Sequence, residues 1–596
     1  MSVLGFDIGN LNCYIGVARQ GGIEVITNDY SLHATPACVS FGSRDRSMGV
    51  AARQAVNTNL KNTIINFKHL IGRKFSDPIA QKFIPFVPCK VVQLANDEIG
   101  LQVNYLDNQT TFTPEQVFAA LLTKLRTTVE SQLSDVKKVS DCVVGVPAYF
   151  TDVQRRAVQA AIQYSGLNAL RIVNETTAIA LAYGIYKQDL PEEGTKAKHV
   201  VFLDIGHAST QASLVAFNKG KLTMLLKTSY DLESGGLCES DAFVEGDEFP
   251  FSKMVTLFRS DAFKIDANYS LPNTVPHTQT HLGTWQVTNV KPTADGEARK
   301  VKVKVRVNPN GVFAVNTATI YETTVIEEEP METEPAADPA TAEQEPPKPK
   351  TKTTAIELPI TEIVPVHYDV AKYAQIEIEM QRADEKERQK ADAKNSLEEY
   401  VYEMRDKISD QYQEFISPAA AEDFGSVLTA TENWLYEDGE DAEQVVYEKR
   451  LAELKVTGTP VVERFRECEA RKPAFDSFDQ AIFRIRKAYE DYVAGGETYA
   501  HLDSKEMEKV INAIEEKKKW LDDVRHKQEN RSKTETPVVF VEEIQQQKTA
   551  FENIVQPILN KKKPAPPPAP KKTEEASPNP AQAAGGDQPQ AEMDVD

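Results

Sequence analysis

Two short stretches of the chain spell the same word. Residues 3–10 read VLGFDIGN and residues 200–206 read VVFLDIG. Each is an apolar run followed by Asp, Ile and Gly. An aspartate at a strand end with glycine in the next turn has a chemical use. The turn lets backbone N–H groups approach phosphate oxygens, and the carboxylate can hold a magnesium ion, usually through water. Asp7 with Gly9, and Asp204 with Gly206, are such pairs. One such turn alone is most often only a turn. Two at matching strand ends suggest hairpins from two lobes gripping one nucleotide. Lys68 in NFKHLIGRKF and Glu175 in RIVNETTAIALAYG extend the set. The plain reading of Lys68 is a surface lysine. Glu175 reads either as a carboxylate favoured at a helix N-terminus or as a ligand of a magnesium-bound water.

The elements that must position these residues are legible as pattern. VLGFD, DCVVGVP and HVVFLD read as buried strands. Residues 113–133 read as a helix with Thr113 as cap and Pro114 at its first position. Residues 151–166 read as another, ending on Gly166. Alternating strands and helices up to residue 236 give an α/β class. From about 250 to 325 the period becomes two. In VKVKVRVN, Val301, Val303, Val305 and Val307 share one face and Lys302, Lys304 and Arg306 the other. Residues 326–357 are acidic and Pro-rich and are not expected to fold alone. Beyond them the chain turns helical, with Leu397, Val401, Met404, Ile408, Tyr412 and Phe415 on one stripe. The last segment, 561–596, is low in complexity.

Composition narrows the function classes. The 596 residues carry a net charge of −21, with 41% hydrophobic and 26% charged residues. That length suggests three or four domains. The charge argues against nucleic acid as a partner. Six cysteines are scattered without a C-x-x-C pair, so zinc and disulfide frameworks are not expected, which suits a reducing compartment. The start lacks the basic region of a signal peptide. No apolar run is long enough to span a bilayer, so no membrane partner is expected.

Longer motifs carry a resemblance. GFDIGN, NTIINFKHLIGRKFSDP, VVGVPAYFTDVQRRAV, SGLNALRIVNETTAIALAYGIY and VFLDIGH resemble the ATPase domain of the 70-kilodalton heat-shock chaperones. ARQGGIEVITNDYSLHATPACVSFGSRDRSMG, YGIYKQDLPEE, LEEYVYEMRDKIS, ENWLYEDGED and the EMDVD ending look like the larger 110-kilodalton class. The resemblance implies a multidomain fold: an α/β actin-like ATPase domain of two lobes, a β-sandwich, an acidic loop and a C-terminal α-helical bundle. Carried over position by position, Asp7, Gly9, Asn10 and Leu11 form the first phosphate loop. Lys68 is the catalytic-type lysine facing the γ-phosphate, with Glu175 and Asp204 the magnesium-side carboxylates. Gly206 and His207 lie in the second phosphate loop, Gly235 and Gly236 in the third, and Pro147 and Arg155 match the family's proline switch and its arginine. The implied cofactor is ATP or ADP with Mg2+. Two departures bear on turnover. Asn10 and Leu11 stand where hydrolysing relatives carry two hydroxyl residues. Gly206-His207-Ala208-Ser209 stands where they carry Gly-Gly-Gly-Thr, and side chains there hinder close backbone approach. The expectation is at most a very slow ATPase.

After Gly236 the text changes too soon. LESGG looks like the third phosphate-contact segment, yet FPFSKMVTLF already resembles a strand well inside the β-sandwich. On the order of one domain, roughly 150 residues, is absent between them by this reading. The expected domains are 1–236, an actin-like nucleotide-binding domain with an incomplete second lobe; 237–325, a partial β domain; 326–357, an acidic disordered loop; 358–560, a helical bundle; and 561–596, a disordered tail. The resemblance implies a nucleotide exchange factor for a 70-kilodalton chaperone and a holdase for unfolded polypeptides, in the cytoplasm and also the nucleus. A nucleotide-free isoform that only binds partners is the alternative. A sugar kinase of the same superfamily is a third reading, which leaves the C-terminal half without a purpose.

Overall fold

The computed structural model describes residues 3–19, 22–133, 138–224, 230–234, 238–243, 251–269, 277–293, 295–325, 351–363 and 366–563. They fall into two units, Met1–Gln389 and Lys390–Asp596. Residues 326–350 of the expected acidic loop, 564–596 of the expected tail, and Gly235 and Gly236 lie outside the described residues.

The first unit is built around a six-stranded sheet. Strand Leu4–Ile8 runs antiparallel to Asn12–Arg19 and parallel to Asp141–Val146, which is itself parallel to Asn168–Asn174. Leu4, Phe6 and Ile8 are buried, so the alternate residues Gly5 and Asp7 face the other way. Helix Pro114–Gln132 begins at a capping box, Thr113 with Gln116, and has Pro114 at its first position. Helix Asp152–Tyr164 gives way to Gly166 at φ 74°, the left-handed conformation glycine takes freely. Three strand ends follow from this topology. Asp7, Pro147 and Glu175 all sit at the carboxyl edge of mutually parallel strands, the side on which open α/β sheets bind ligands.

A second sheet of three strands, Lys198–Ile205, Thr210–Asn218 and Lys221–Met224, is covered on one face by helix Glu175–Ile185. Ala180, Val215 and Phe217 are buried between them, with Tyr183 and Phe202 closing an aromatic cluster. The HVVFLD strand is not buried on both faces as expected. Val201, Leu203 and Ile205 are 70%, 64% and 73% exposed. The reason is that one layer, not two, packs on this sheet among the described residues.

Two sheets form the β domain. One has the order Cys238–Phe243, Tyr230–Ser234, Phe263–Asn268, His281–Val287, Ile360–Ile363; the other runs Phe251–Arg259, Arg299–Val307, Phe313–Val325, Thr351–Leu358. Val301, Val303, Val305 and Val307 point into a shared core with Ile265, Trp285 and Phe313. Three expected boundaries move. Residues 230–234, assigned to the nucleotide-binding domain, pair with Phe263–Asn268. Residues 351–357, assigned to the acidic loop, and 358 and 360–363, assigned to the bundle, lie in strands. In TKTTAIELPITEI the β-branched residues pair with a long neighbour, and this outweighs the polar composition that suggested a loop.

The helical region begins at Val370, where a 40-residue helix runs to Ser409. In the second unit follow Pro418–Tyr436, Gln444–Val493, Ser504–Glu529 and Val541–Leu559. All six residues of the Leu397 to Phe415 stripe are buried in one core with Phe424, Leu428 and Tyr447. A second core gathers Phe478, Ile482, Val510, Ile514 and Phe551.

Candidate functional site

The repeated word makes a repeated turn. Gly9 N–H donates to the Asn12 carbonyl and Gly206 N–H to the Ser209 carbonyl, each at 2.9 Å and each spanning three residues. A Cβ at Gly9 would lie 2.4 Å from the Asn12 oxygen, and one at Gly206 would lie 3.2 Å from the Ser209 oxygen. The first turn therefore excludes every other residue and the second is tight. The two hairpins face each other. Asn10 Nδ2 donates to His207 Nδ1 at 2.9 Å and to Asn66 Oδ1 at 3.0 Å.

Behind the hairpins lies a charged cluster. Lys68 Nζ donates to Glu175 Oε1 at 2.7 Å, and both side chains are at most 16% exposed. Asp7 is exposed. Partial desolvation there, and then the neighbouring Glu175, raise its carboxyl above the ordinary carboxylate value; Lys68 opposes and Asp204 adds. Asp7, Lys68, Glu175 and Asp204, drawn from positions 197 residues apart, thus share one electrostatic neighbourhood.

Pro147 and Arg155 sit one step back. The Pro147 carbonyl accepts from Phe150 N–H at 3.0 Å, and the Phe150 carbonyl accepts from Arg155 Nε at 2.9 Å. Arg155 continues to Asn174 Oδ1, next to Glu175, and to the Asn310 carbonyl in the NPNG turn of the β domain at 3.4 Å. Leu11 is 41% exposed. Gly235 and Gly236 are outside the described residues.

Sequence reasoning missed Gln211. It lies opposite Asp204 in the strand register. Its amide donates to Glu175 Oε2 at 2.6 Å and to Asp204 Oδ2 at 3.4 Å, while its oxygen accepts from Ala148 N–H at 2.8 Å. A single polar residue on a strand carries no motif; only the register with Asp204 could have drawn attention to it.

The residues fit nucleotide phosphates in one respect and not in another. Glycine hairpins with free backbone approach suit phosphate oxygens. The side chains on the first hairpin offer no free donor: the Asn10 amide N–H groups are engaged by Asn66 and His207. Asn10 Oδ1 is a buried acceptor without a partner among the described residues, and Leu11 has no donor. Both oxygens of Glu175 are already engaged. Among the described residues no group of three or more His, Cys, Asp or Glu side chains is placed to hold a metal ion directly.

Comparison with known proteins adds a family. The model described as "Hsp70 protein" matches residues 3–245 and 239–467, and the one described as "HYOU1-like, C-terminal domain" matches 485–562. The protein named "Heat shock protein 110" from Caenorhabditis elegans is 55% identical over 783 aligned positions, covering all of both chains. "Heat shock 70 kDa protein 4" from Homo sapiens is 32% identical, over 95% of this chain and 94% of its own. The "97 kDa heat shock protein" of Strongylocentrotus purpuratus is 30% identical, over 98% of this chain and 94% of its own.

Proposed function

Because this chain belongs to the 70-kilodalton heat-shock protein family, and within it to the 110-kilodalton class, we propose that it works as a nucleotide exchange factor for a 70-kilodalton chaperone and as a holdase for unfolded polypeptides. The observation that carries this reading is the ordered likeness along the whole chain, from the first hairpin through the β domain to the last helices. The cleft supports the same direction. With the Asn10 amide engaged by Asn66 and His207 and no donor on Leu11, this hairpin offers a γ-phosphate no free side-chain donor, which fits at most a very slow ATPase rather than a cycling one. ATP or ADP brings Mg2+ in this family. In this chain Asp7, Glu175 and Asp204 are the carboxylates that would face the ion, through water. Cys13, Cys38, Cys89, Cys142 and Cys468 are free, which agrees with a reducing cytoplasmic location, and the nucleus shares that chemistry.

The second lobe is incomplete in this reading. The alignment with the nematode relative spans 783 positions against 596 residues here, a difference of 187. The family match restarts at residue 239 before its first part ends at 245. The exposed apolar face of the Lys198–Ile205 strand is what a lobe missing its outer layer would leave. A loss near residue 240 removes the adenosine side of the site. If about three good hydrogen bonds go with it, affinity falls roughly a hundred-fold to a million-fold. This favours, as the second reading, a nucleotide-free form that binds partners and exchanges their nucleotide poorly.

Stopped-flow release of fluorescent ADP from a 70-kilodalton chaperone separates the two readings. Strong acceleration by this chain supports exchange. Binding without acceleration supports the partner-only form. Calorimetry with Mg-ATP complements it: micromolar or tighter binding would overturn the incomplete-site argument.

A further inference from the structure

Gln211 connects three parts of the cleft that come from different elements. Its strand, Thr210–Asn218, belongs to the three-stranded sheet, and Asp204 lies opposite on the neighbouring strand. Its amide nitrogen reaches Glu175, at the start of the helix that follows the six-stranded sheet. Its amide oxygen holds the N–H of Ala148, directly after Pro147. The residue is 7% exposed, so water competes weakly for these bonds. With Lys68 on one carboxylate oxygen and Gln211 on the other, both oxygens of Glu175 are engaged from within the protein.

We infer that Gln211 is the positioning residue of this cleft: it ties the Pro147–Ala148 turn to the three-stranded sheet and holds Glu175 in its pair with Lys68, so that Glu175 and Asp204 do not take a divalent cation directly. The chemistry of the amide is the reason. One end accepts and the other donates, so a single side chain satisfies a backbone N–H and a carboxylate at once. A carboxylate at 211 would still accept from Ala148 but would repel Glu175. It would add an acid in direct reach of Glu175 and Asp204, beside Asp7 in the same neighbourhood, giving the oxygen-rich donor set that binds Mg2+ or Ca2+. The tie is a property of the cleft whether or not the chain acts on a partner's nucleotide.

Hydrogen exchange read by mass spectrometry on the full chain tests it. Gln211→Met keeps length and packing and removes all three bonds. Exchange at Ala148 should rise about ten-fold, with Val144 and Val146 in the adjoining strand unchanged. Gln211→Glu keeps the acceptor, so Ala148 should stay protected. Millimolar Mg2+ should then slow exchange in segments 145–150 and 203–212 of this variant and leave those segments of the parent unchanged. The inference is overturned if Ala148 exchange does not change in Gln211→Met, or rises together with Val144 and Val146, which would mean lost fold rather than a lost tie. It is equally overturned if the parent responds to Mg2+ as Gln211→Glu does, or if Gln211→Glu does not respond.

Discussion

His69 follows Lys68 in sequence, yet it faces the protein interior. It is 7% exposed and its ring stacks on Phe83, with centroids 3.9 Å apart and planes within 3°. Burial first, then Lys68 and Arg73, lower its pKa from 6.5 to about 4. The unfolded chain takes this proton near pH 6.5, while the folded one waits until about pH 4. Between those values acid draws the equilibrium toward the unfolded state. The stability due to neutral His69 is therefore full above pH 6.5 and declines as pH falls, by about 2 kcal/mol at pH 5. His69→Phe keeps the stack and removes the proton site. Urea midpoints of the parent and His69→Phe at pH 7 and pH 5 check this: the parent should lose more on acidification, and equal losses would count against it. His69 also shows the limit of sequence reading. Lys68 was identifiable because its motif is long. Its neighbour's stack on Phe83 reaches 14 residues along the chain and the Gln211 bond to Glu175 reaches 36, and no local pattern encodes either.

The first half of the Val370–Ser409 helix is bolted to the first unit by one arginine. The Arg46 side chain is fully buried; it donates to both oxygens of Glu377 at 2.7 and 2.8 Å and to Asp384 at 2.7 Å. Met380 enters the core beside them, and Arg126 donates to Gln381 at 3.2 Å. Removing one partner of a buried pair costs about 3–5 kcal/mol, because the other charge stays buried. Arg46→Met should therefore loosen this helix. Exchange across residues 370–389 should rise at least about a hundred-fold if the segment opens on its own, and adding Glu377→Leu should restore much of the protection. Unchanged exchange in Arg46→Met would show that apolar contacts alone hold the helix. At this scale much was readable: the Thr113 cap, the alternating valines and the Leu397 stripe each state their own structure through period or cap chemistry. The strand Thr351–Leu358 was not, since it follows an acidic, Pro-rich run and gains its pairing from a strand 26 to 40 residue positions earlier.

At the scale of the whole molecule, the second unit makes a test of how far one long helix can couple two cores. Gln444–Val493 spans 50 residues, about 75 Å at 1.5 Å per residue. Tyr447, Leu454 and Val461 on its first part belong to the core of Leu397 and Leu428. Phe475, Phe478, Ile482 and Ile485 belong to the core of Val510 and Phe551. The junction between them is weak for three reasons. Pro460 and Pro473 lie inside the helix, and each removes a backbone donor and crowds the preceding turn. Arg471 is buried there, with Nε and Nη2 lacking hydrogen-bond partners among the described residues. The ion pair from Lys533 to Glu414 that reaches across is exposed, and such pairs contribute little. We expect a fragment of residues 390–563 to be helical by itself and to unfold in two steps, one per core. Leu397→Ala should lower only one step and Phe551→Ala only the other, each by about 2–5 kcal/mol. Thermal and urea melts followed by circular dichroism read both. A fragment without helical signal would refute the autonomy of the unit. A single transition shifted equally by both substitutions would show instead that the long helix carries cooperativity through its prolines.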